Sequence, residues 1–324
     1  MTALDDIFKL IESDLETFNS VFPRLLKSHV RIVNIIARHM VRQRGKRVRP
    51  ALVIFSARMC GEPSENTYKA AALIEMLHNA TLIHDDVVDD ASVRRGGPTL
   101  NAIWKNKISV LMGDYILARS LITAAELQDL RVIAVLSNAS ARLSQGELNQ
   151  LVKSRNKKID EQDYFQIIGD KTAALFSASC ELGAVSAGAD PQKIAALKEF
   201  GEKIGLAFQI KDDLLDFEGD EKLFGKRKGT DLRDGKITLP LIHALGQVDG
   251  KDKKRILKKV KKKATGEDIS AVIGFMKDNG GMDYAARKAD ELVKNACGSL
   301  DIFPDSEYKR AMISLTQFFI NRKK

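Results

Sequence analysis

Apolar residues recur at intervals of three and four along nearly the whole chain. Ile7, Ile11, Leu15 and Phe18 trace one helical face, and Pro23 interrupts or restarts the pattern. A second helix follows with Leu25, Leu26, Val30, Ile32, Val33, Ile35 and Ile36. After the basic stretch 42–49, Pro50 suits the first turn of a helix over 51–59. Residues 66–90 are apolar almost all round, which predicts a central, buried helix. Further helices are predicted over 108–127, 130–152, 161–186 and 191–217, with a short one over 238–245 and three or four more over 250–323. No stretch of any length alternates with period two, no fixed-period repeat is present, and no Ser/Pro/Gly linker divides the chain. The expected architecture is all-α, a single domain of long helices spanning residues 1–324.

Composition narrows the setting. Cys60, Cys180 and Cys297 lie far apart without CxxC spacing, which suits a reducing compartment and small packed hydrophobes. The N-terminal MTALDDIFKLIESDLE is acidic and amphipathic, unlike a signal peptide. No apolar run approaches the ~20 residues of a membrane span, so a soluble, cytoplasmic protein is expected. The net charge of +9 leaves nucleic acid, membrane surface and small anions open as partners. The strongest basic run, Lys251 to Lys263, reads as a solvated helix face, with weak contact to an anionic membrane as the alternative. Nucleic acid is excluded as a partner, for want of a motif or interleaved aromatics.

Two acidic motifs change the picture most. Asp85-Asp86-Val87-Val88-Asp89 and Asp212-Asp213-Leu214-Leu215-Asp216 both fall inside apolar helices. Positions i and i+4 share a helical face, so Asp85 stacks over Asp89 and Asp212 over Asp216. A lone motif of this kind is usually a solvated acidic face. Two copies in apolar company need a counter-charge, and oxygen-only ligands favour Mg²⁺. Basic residues bracket them: Lys46 and Arg49 before the first, Arg94 and Arg95 after it, Lys226 and Lys236 after the second. Mg²⁺ bridges carboxylate to phosphate while Arg and Lys grip the remaining oxygens, so the set suggests diphosphate chemistry. His84 beside Asp85 also admits a histidine–aspartate metal hydrolase, but His29, His39 and His243 lack ligand spacing.

The chain resembles the trans-isoprenyl diphosphate synthases, the polyprenyl synthetase family, over nearly its whole length. The resemblance rests on Gly45-Lys46-Arg47-Val48-Arg49-Pro50, the run Glu75 to Pro98, Gly113-Asp114-Tyr115, Gly146-Glu147, Lys171-Thr172, Phe208 to Asp216, and Gly225-Lys226 through Asp231 to Pro240, in the family's order. It implies a bundle of long helices around a central cavity, usually a homodimer. It implies that Asp85, Asp86 and Asp89 hold Mg²⁺ on an allylic diphosphate, and that Asp212, Asp213 and Asp216 hold another. Arg94, Lys171 and Lys236, with Lys226 nearby, match residues gripping the allylic diphosphate. Lys46, Arg49, His78 and Arg95 match the isopentenyl diphosphate pocket. Thr172 and Gln209 match groups beside the developing cation, and Asp90 has no firm role.

The implied reaction joins isopentenyl diphosphate to an allylic diphosphate such as farnesyl or geranyl diphosphate. Charge on the leaving diphosphate is stabilised by Mg²⁺ and preorganised cations. No strongly basic side chain is evident for the final proton loss, and the departing diphosphate is the hypothesised acceptor. Small residues behind Asp85, namely Ala80 and Thr81 with Leu77 one storey deeper, leave room for a growing chain, and Leu121 and Ile122 are candidates for its floor. The resemblance then implies a medium or long all-trans product, octaprenyl first, of the kind found in quinone side chains. The rivals are a geranylgeranyl-type synthase and a non-catalytic subunit of a heteromeric synthase. All six motif aspartates remain, which speaks against the latter.

Overall fold

The computed structural model describes residues 3–42, 45–94, 97–156, 159–218, 229–260 and 264–321. In chain order these form α1 (Ala3–Phe8), α2 (Glu12–Leu25), α3 (Arg31–Arg42), α4 (Val48–Cys60), α5 (Glu65–Val88), the strands β1 (Val93–Arg94) and β2 (Gly97–Pro98), α6 (Leu100–Glu126), α7 (Leu130–Asn156), α8 (Glu161–Ile168), a π-turn (Gly169–Ala173), α9 (Ala174–Ser186), α10 (Pro191–Glu218), α11 (Thr230–Arg233), α12 (Leu239–Gly246), α13 (Gly250–Lys259), α14 (Gly266–Asp278), α15 (Gly281–Ser299) and α16 (Glu307–Asn321). The strands are a two-residue antiparallel pair in the loop after α5. The all-α expectation holds. The chain forms two compact units, one of residues 1–141, 175–201 and 300–312, the other of 142–174, 202–299 and 313–324.

The first unit is organised on α5. Ser64 and Thr67 close a capping box at its start, and Ala70 to Leu77 are buried without a break. Helices α2, α4 and α6 pack around it. Asp14, 3% exposed, ties three of these together: it accepts two hydrogen bonds from Arg58 and a 2.7 Å bond from the Tyr68 hydroxyl. A buried carboxylate so paired costs little, whereas an unpaired one would cost several kcal/mol. Gly183 on α9 lets that helix close on α4, since a Cβ there would lie 2.2 Å from the Val53 carbonyl oxygen. Cys180 is buried and its thiol is pushed up to about 12 by desolvation, consistent with an inert packed group.

Helix α6 departs from the sequence pattern in two ways. It starts at residue 100, because the Thr99 hydroxyl accepts from Ala102 N–H as an N-cap. It is also broken at Lys105, whose φ of 67° and ψ of 166° fall in a region glycine alone occupies readily. Lys105→Gly should therefore raise stability by about 1–2 kcal/mol, against the usual cost of glycine in a helix. A urea midpoint that falls would show that the Lys105 side chain offsets the strain. By length and composition α6 could also cross a membrane, with mean hydropathy 1.4 in its best window, which corrects the expectation that no segment would qualify. It nevertheless packs within this unit: Arg119 donates to the Leu25 carbonyl and Tyr115 to that of Lys27.

The second unit buries Tyr164 and Ile168 of α8 against Ile210, Leu214 and Phe217 of α10, with Leu239, Leu241, Val272, Met276 and Ala285 completing the cluster. Gly281 admits the Pro240 carbonyl oxygen 2.1 Å from where its Cβ would be, so α15 starts directly against α12. The basic helix α13 inserts Ile256 and leaves Lys251, Lys254, Arg255 and Lys258 on its outer face.

Candidate active site

In the second unit, α8, the π-turn, α10 and the segment 231–238 enclose a cavity of about 620 Å³, its open mouth included. Lys171, Thr172, Gln209, Asp213, Asp231 and Lys236 supply its polar wall, and Ile159, Ile167, Ile168 and Ile237 its apolar wall. Lys171, Thr172, Gln209, Asp213 and Lys236, widely separated in the chain, are thus brought together in one wall.

One hydrogen-bonded chain orders this wall. The Thr172 hydroxyl donates to Gln209 Oε1 at 2.8 Å, Gln209 Nε2 donates to Asp213 Oδ1 at 2.9 Å, and the Tyr164 hydroxyl donates to Asp213 Oδ2 at 2.7 Å. Gln209 and Asp213 are one helical turn apart on α10, which sets their spacing. Because its proton is committed to Gln209, Thr172 presents oxygen lone pairs to the cavity. Asp213 is 4% exposed. Burial, then the nearby charge of Asp231, push its pKa up to about 8, against hydrogen bonds from Tyr164 and Gln209 that pull it down. Burial and Asp231 likewise raise Asp216, although it accepts the backbone N–H groups of Asp231 and Thr230. Burial acts to lower the Lys236 ammonium, but its ion pair with Asp231 and the field of Asp234 outweigh it and the pKa is raised. Lys171 pairs with Glu147. Asp212 lies exposed on the same helix, next to buried Asp213.

In the first unit, α5 delivers the other motif at its C-terminal end. Asp85 is half-buried and Asp89 exposed, while Asp86 is 6% exposed and held by Arg94, whose Nε donates at 2.6 Å. Asp86 thus turns from the Asp85–Asp89 face toward a smaller cleft shared with Met40, Asn79, Leu82, Ile83, Arg94, Thr99 and Leu100. Arg49 Nη1 lies 3.2 Å from His78 Nε2, and the Arg49 guanidinium covers the Phe176 ring, so these two side chains lie together. Lys46 is exposed, three residues before Arg49. Arg47 is an anchor: it pairs with buried Glu75 and stacks over Phe18 and Phe22. His84 faces α6, near Asp114 and the Val110 carbonyl, in space that only Gly113 leaves open. Arg95 and Lys226 lie outside the described residues.

Ala80 and Leu77 are 2% and 1% exposed, and Thr81 donates its hydroxyl back to the His78 carbonyl. Leu121 and Ile122 do not form an interior floor: they are 52% and 46% exposed. Sequence reasoning left Tyr164 and Asp231 without roles. Tyr164 precedes Lys171 and Thr172 by seven and eight positions, a same-face spacing that could have placed it. Asp231 carried no such signal, because it acts from the short helix α11.

A family model for polyprenyl synthetases matches residues 30–276. The chain is 34% identical over 322 residues to the octaprenyl diphosphate synthase of Haemophilus influenzae, covering 99% of this chain and 98% of that one. Its fold superposes on the crystal structure of a decaprenyl diphosphate synthase from Rhodobacter capsulatus with a TM-score of 0.93, at 34% identity and 99% coverage of both chains. It also superposes on a polyprenyl synthase from Caulobacter crescentus complexed with calcium and isoprenyl diphosphate, with a TM-score of 0.89, 34% identity and coverage of 99% and 98%.

Proposed function

The chain belongs to the polyprenyl synthetase family, and from that premise we propose a Mg²⁺-dependent prenyltransferase that extends an allylic diphosphate with isopentenyl diphosphate to a long all-trans product, octaprenyl first. One observation carries the reading. The cavity sets two lysines and the Thr172–Gln209 pair beside carboxylates that burial leaves short of counter-charge. Mg²⁺ characteristically takes one or two carboxylates and completes its octahedron from water and substrate phosphate. That suits this donor set, in which no three His, Cys, Asp or Glu groups among the described residues form a preformed cage. Asp212 and Asp216 in one motif, and Asp85 and Asp89 in the other, are the proposed ligands, with Asp86 and Asp213 behind them. When bound, Mg²⁺ supplies positive charge to the departing diphosphate.

The chain's own groups do the remaining work. Lys171 and Lys236 bind allylic diphosphate oxygens, exchanging Glu147 and Asp231 for the substrate. Thr172 turns its lone pairs toward the allylic carbon, where positive charge develops. The isoleucines of the wall exclude water that would otherwise capture the cation. Lys46, Arg49 and His78, with Arg95, are proposed to bind isopentenyl diphosphate. The exposed apolar face of α6, with Leu111 at 59% and Leu121 at 52%, supports a homodimer.

The test is incubation of purified protein with farnesyl diphosphate, labelled isopentenyl diphosphate and Mg²⁺. The expected result is a labelled octaprenyl-length product that chelator abolishes. Arrest at geranylgeranyl diphosphate would select the shorter-chain reading, and no product at all would select the partner-subunit reading.

A further inference from the structure

The π-turn that carries Lys171 and Thr172 is held on three sides. Such turns are rare and, with their wider rings, depend on outside support. Here three consecutive side chains are each fixed by a different group: Asp170 by Arg142, Lys171 by Glu147 and Thr172 by Gln209. Lys171 and Thr172 line the cavity. Asp170 does not, and its partner is the most elaborate of the three. Arg142 Nε donates to Asp170 Oδ1 at 2.8 Å, while Nη1 and Nη2 fork onto the two oxygens of Glu202 at 2.9 and 2.7 Å. Glu202 stands two turns before Gln209 on the same helix. One guanidinium thus ties α7, the π-turn and α10 together with all three of its nitrogens.

The approach is tight. A Cβ on Gly146 would lie 3.0 Å from both Asp170 Cβ and the Lys171 nitrogen, so α7 passes tightly against the turn at this glycine. Gly169, in turn, lies under the Arg142–Glu202 fork, its Cβ position 3.5 Å from Arg142 Nη2. Without Arg142, Asp170 and Glu202 would be two carboxylates converging on one empty point, and their repulsion would act directly on the turn. Lysine could supply the charge but not the planar fork that spans both acids.

We propose that Arg142 is a positioning residue: by clamping Asp170 against Glu202 it fixes the π-turn, and through it the placement of Lys171 and Thr172 on the allylic diphosphate. This rests on the function proposed above. It predicts a selective defect. In Arg142→Met, KM for the allylic diphosphate should rise about tenfold, the loss expected for one misplaced charge-assisted contact, while KM for isopentenyl diphosphate stays put. Arg142→Lys should fall between. A merely structural role would lower the active fraction, and so kcat, without moving either KM.

The double variant Arg142→Met/Glu202→Met separates folding from positioning. It removes the opposed charges, so its melting temperature should return toward the parent value while allylic KM stays raised, because Asp170 still has no partner. Unchanged allylic KM in Arg142→Met, or full recovery of KM in the double variant, would overturn the inference. Lys171→Ala run in parallel distinguishes the two levels. If it raises allylic KM and Arg142→Met does not, the positioning role fails alone. If Lys171→Ala leaves allylic KM unchanged, the assignment of the cavity fails and this role with it.

Discussion

Asp213→Asn is expected to remove most of the decline in apoprotein stability between pH 5 and pH 8 and, in the same protein, to cut activity about a hundredfold. Both effects come from one buried carboxyl. Its folded pKa is raised from 3.8 to about 8, first by burial and then by Asp231. Between those values the folded state binds more protons than the unfolded state, so stability falls as pH rises through that window. Below pH 4 the penalty is absent, because the group is protonated in both states. Asparagine cannot ionise and removes this share of the decline. It retains one acceptor for Gln209 and can donate to the Tyr164 oxygen, but it leaves the buried Tyr164 proton unpaired, at about 1–2 kcal/mol at every pH. The difference is therefore a slope. In chelator-treated protein the parent should lose stability from pH 5 to 8 by on the order of a few kcal/mol, and the variant should keep only the smaller decline that the raised Asp216 contributes. Parallel pH profiles would mean that Asp213 does not hold its proton in the fold. The activity loss has a separate origin. A neutral amide at this position weakens the negative field that the proposed Mg²⁺ requires.

What the sequence made legible was periodic. The buried helix expected over 66–90 is α5 (Glu65–Val88), and the one expected over 191–217 is α10 (Pro191–Glu218), because apolar spacing and the Pro191 start are local signals. The family resemblance singled out Lys171, Thr172, Gln209, Asp213 and Lys236 one by one, and the fold lines one cavity with them. What escaped was non-local or rule-breaking. The kink at Lys105 puts a lysine in a glycine-like conformation that no propensity anticipates. The π-turn at 169–173 continues an apolar helical pattern without visible interruption. The turn of Asp86 away from Asp85 follows from helical geometry, about 100° per residue, but its partner Arg94 is set by the hairpin-like loop after α5. The Arg142 clamp needs three helices to meet, and its residues share no spacing at all.

Ala80→Phe should shorten the product to about four isoprene units, one helical turn of roughly 5.4 Å holding about one unit beyond the primer. What lies behind this side chain, which is 2% exposed, decides the outcome. Thr81 has its hydroxyl bonded back to the His78 carbonyl, which satisfies its polar group, and Leu77 one turn deeper is as buried as Ala80. These are the surfaces an apolar chain would follow along α5. They are equally the surfaces of close helix packing, which small residues permit. The two differ in cost. A phenyl ring forced into a packed interface costs about 1–3 kcal/mol through displaced neighbours, and it leaves product length untouched. A ring placed in a route kept open for product fills space without overpacking, so stability holds while the chain stops early. Product chromatography and a denaturation midpoint on the same variant therefore decide together. Short product with unchanged stability establishes the route, whereas long product from a destabilised protein assigns Ala80 to packing and moves the length-setting wall elsewhere.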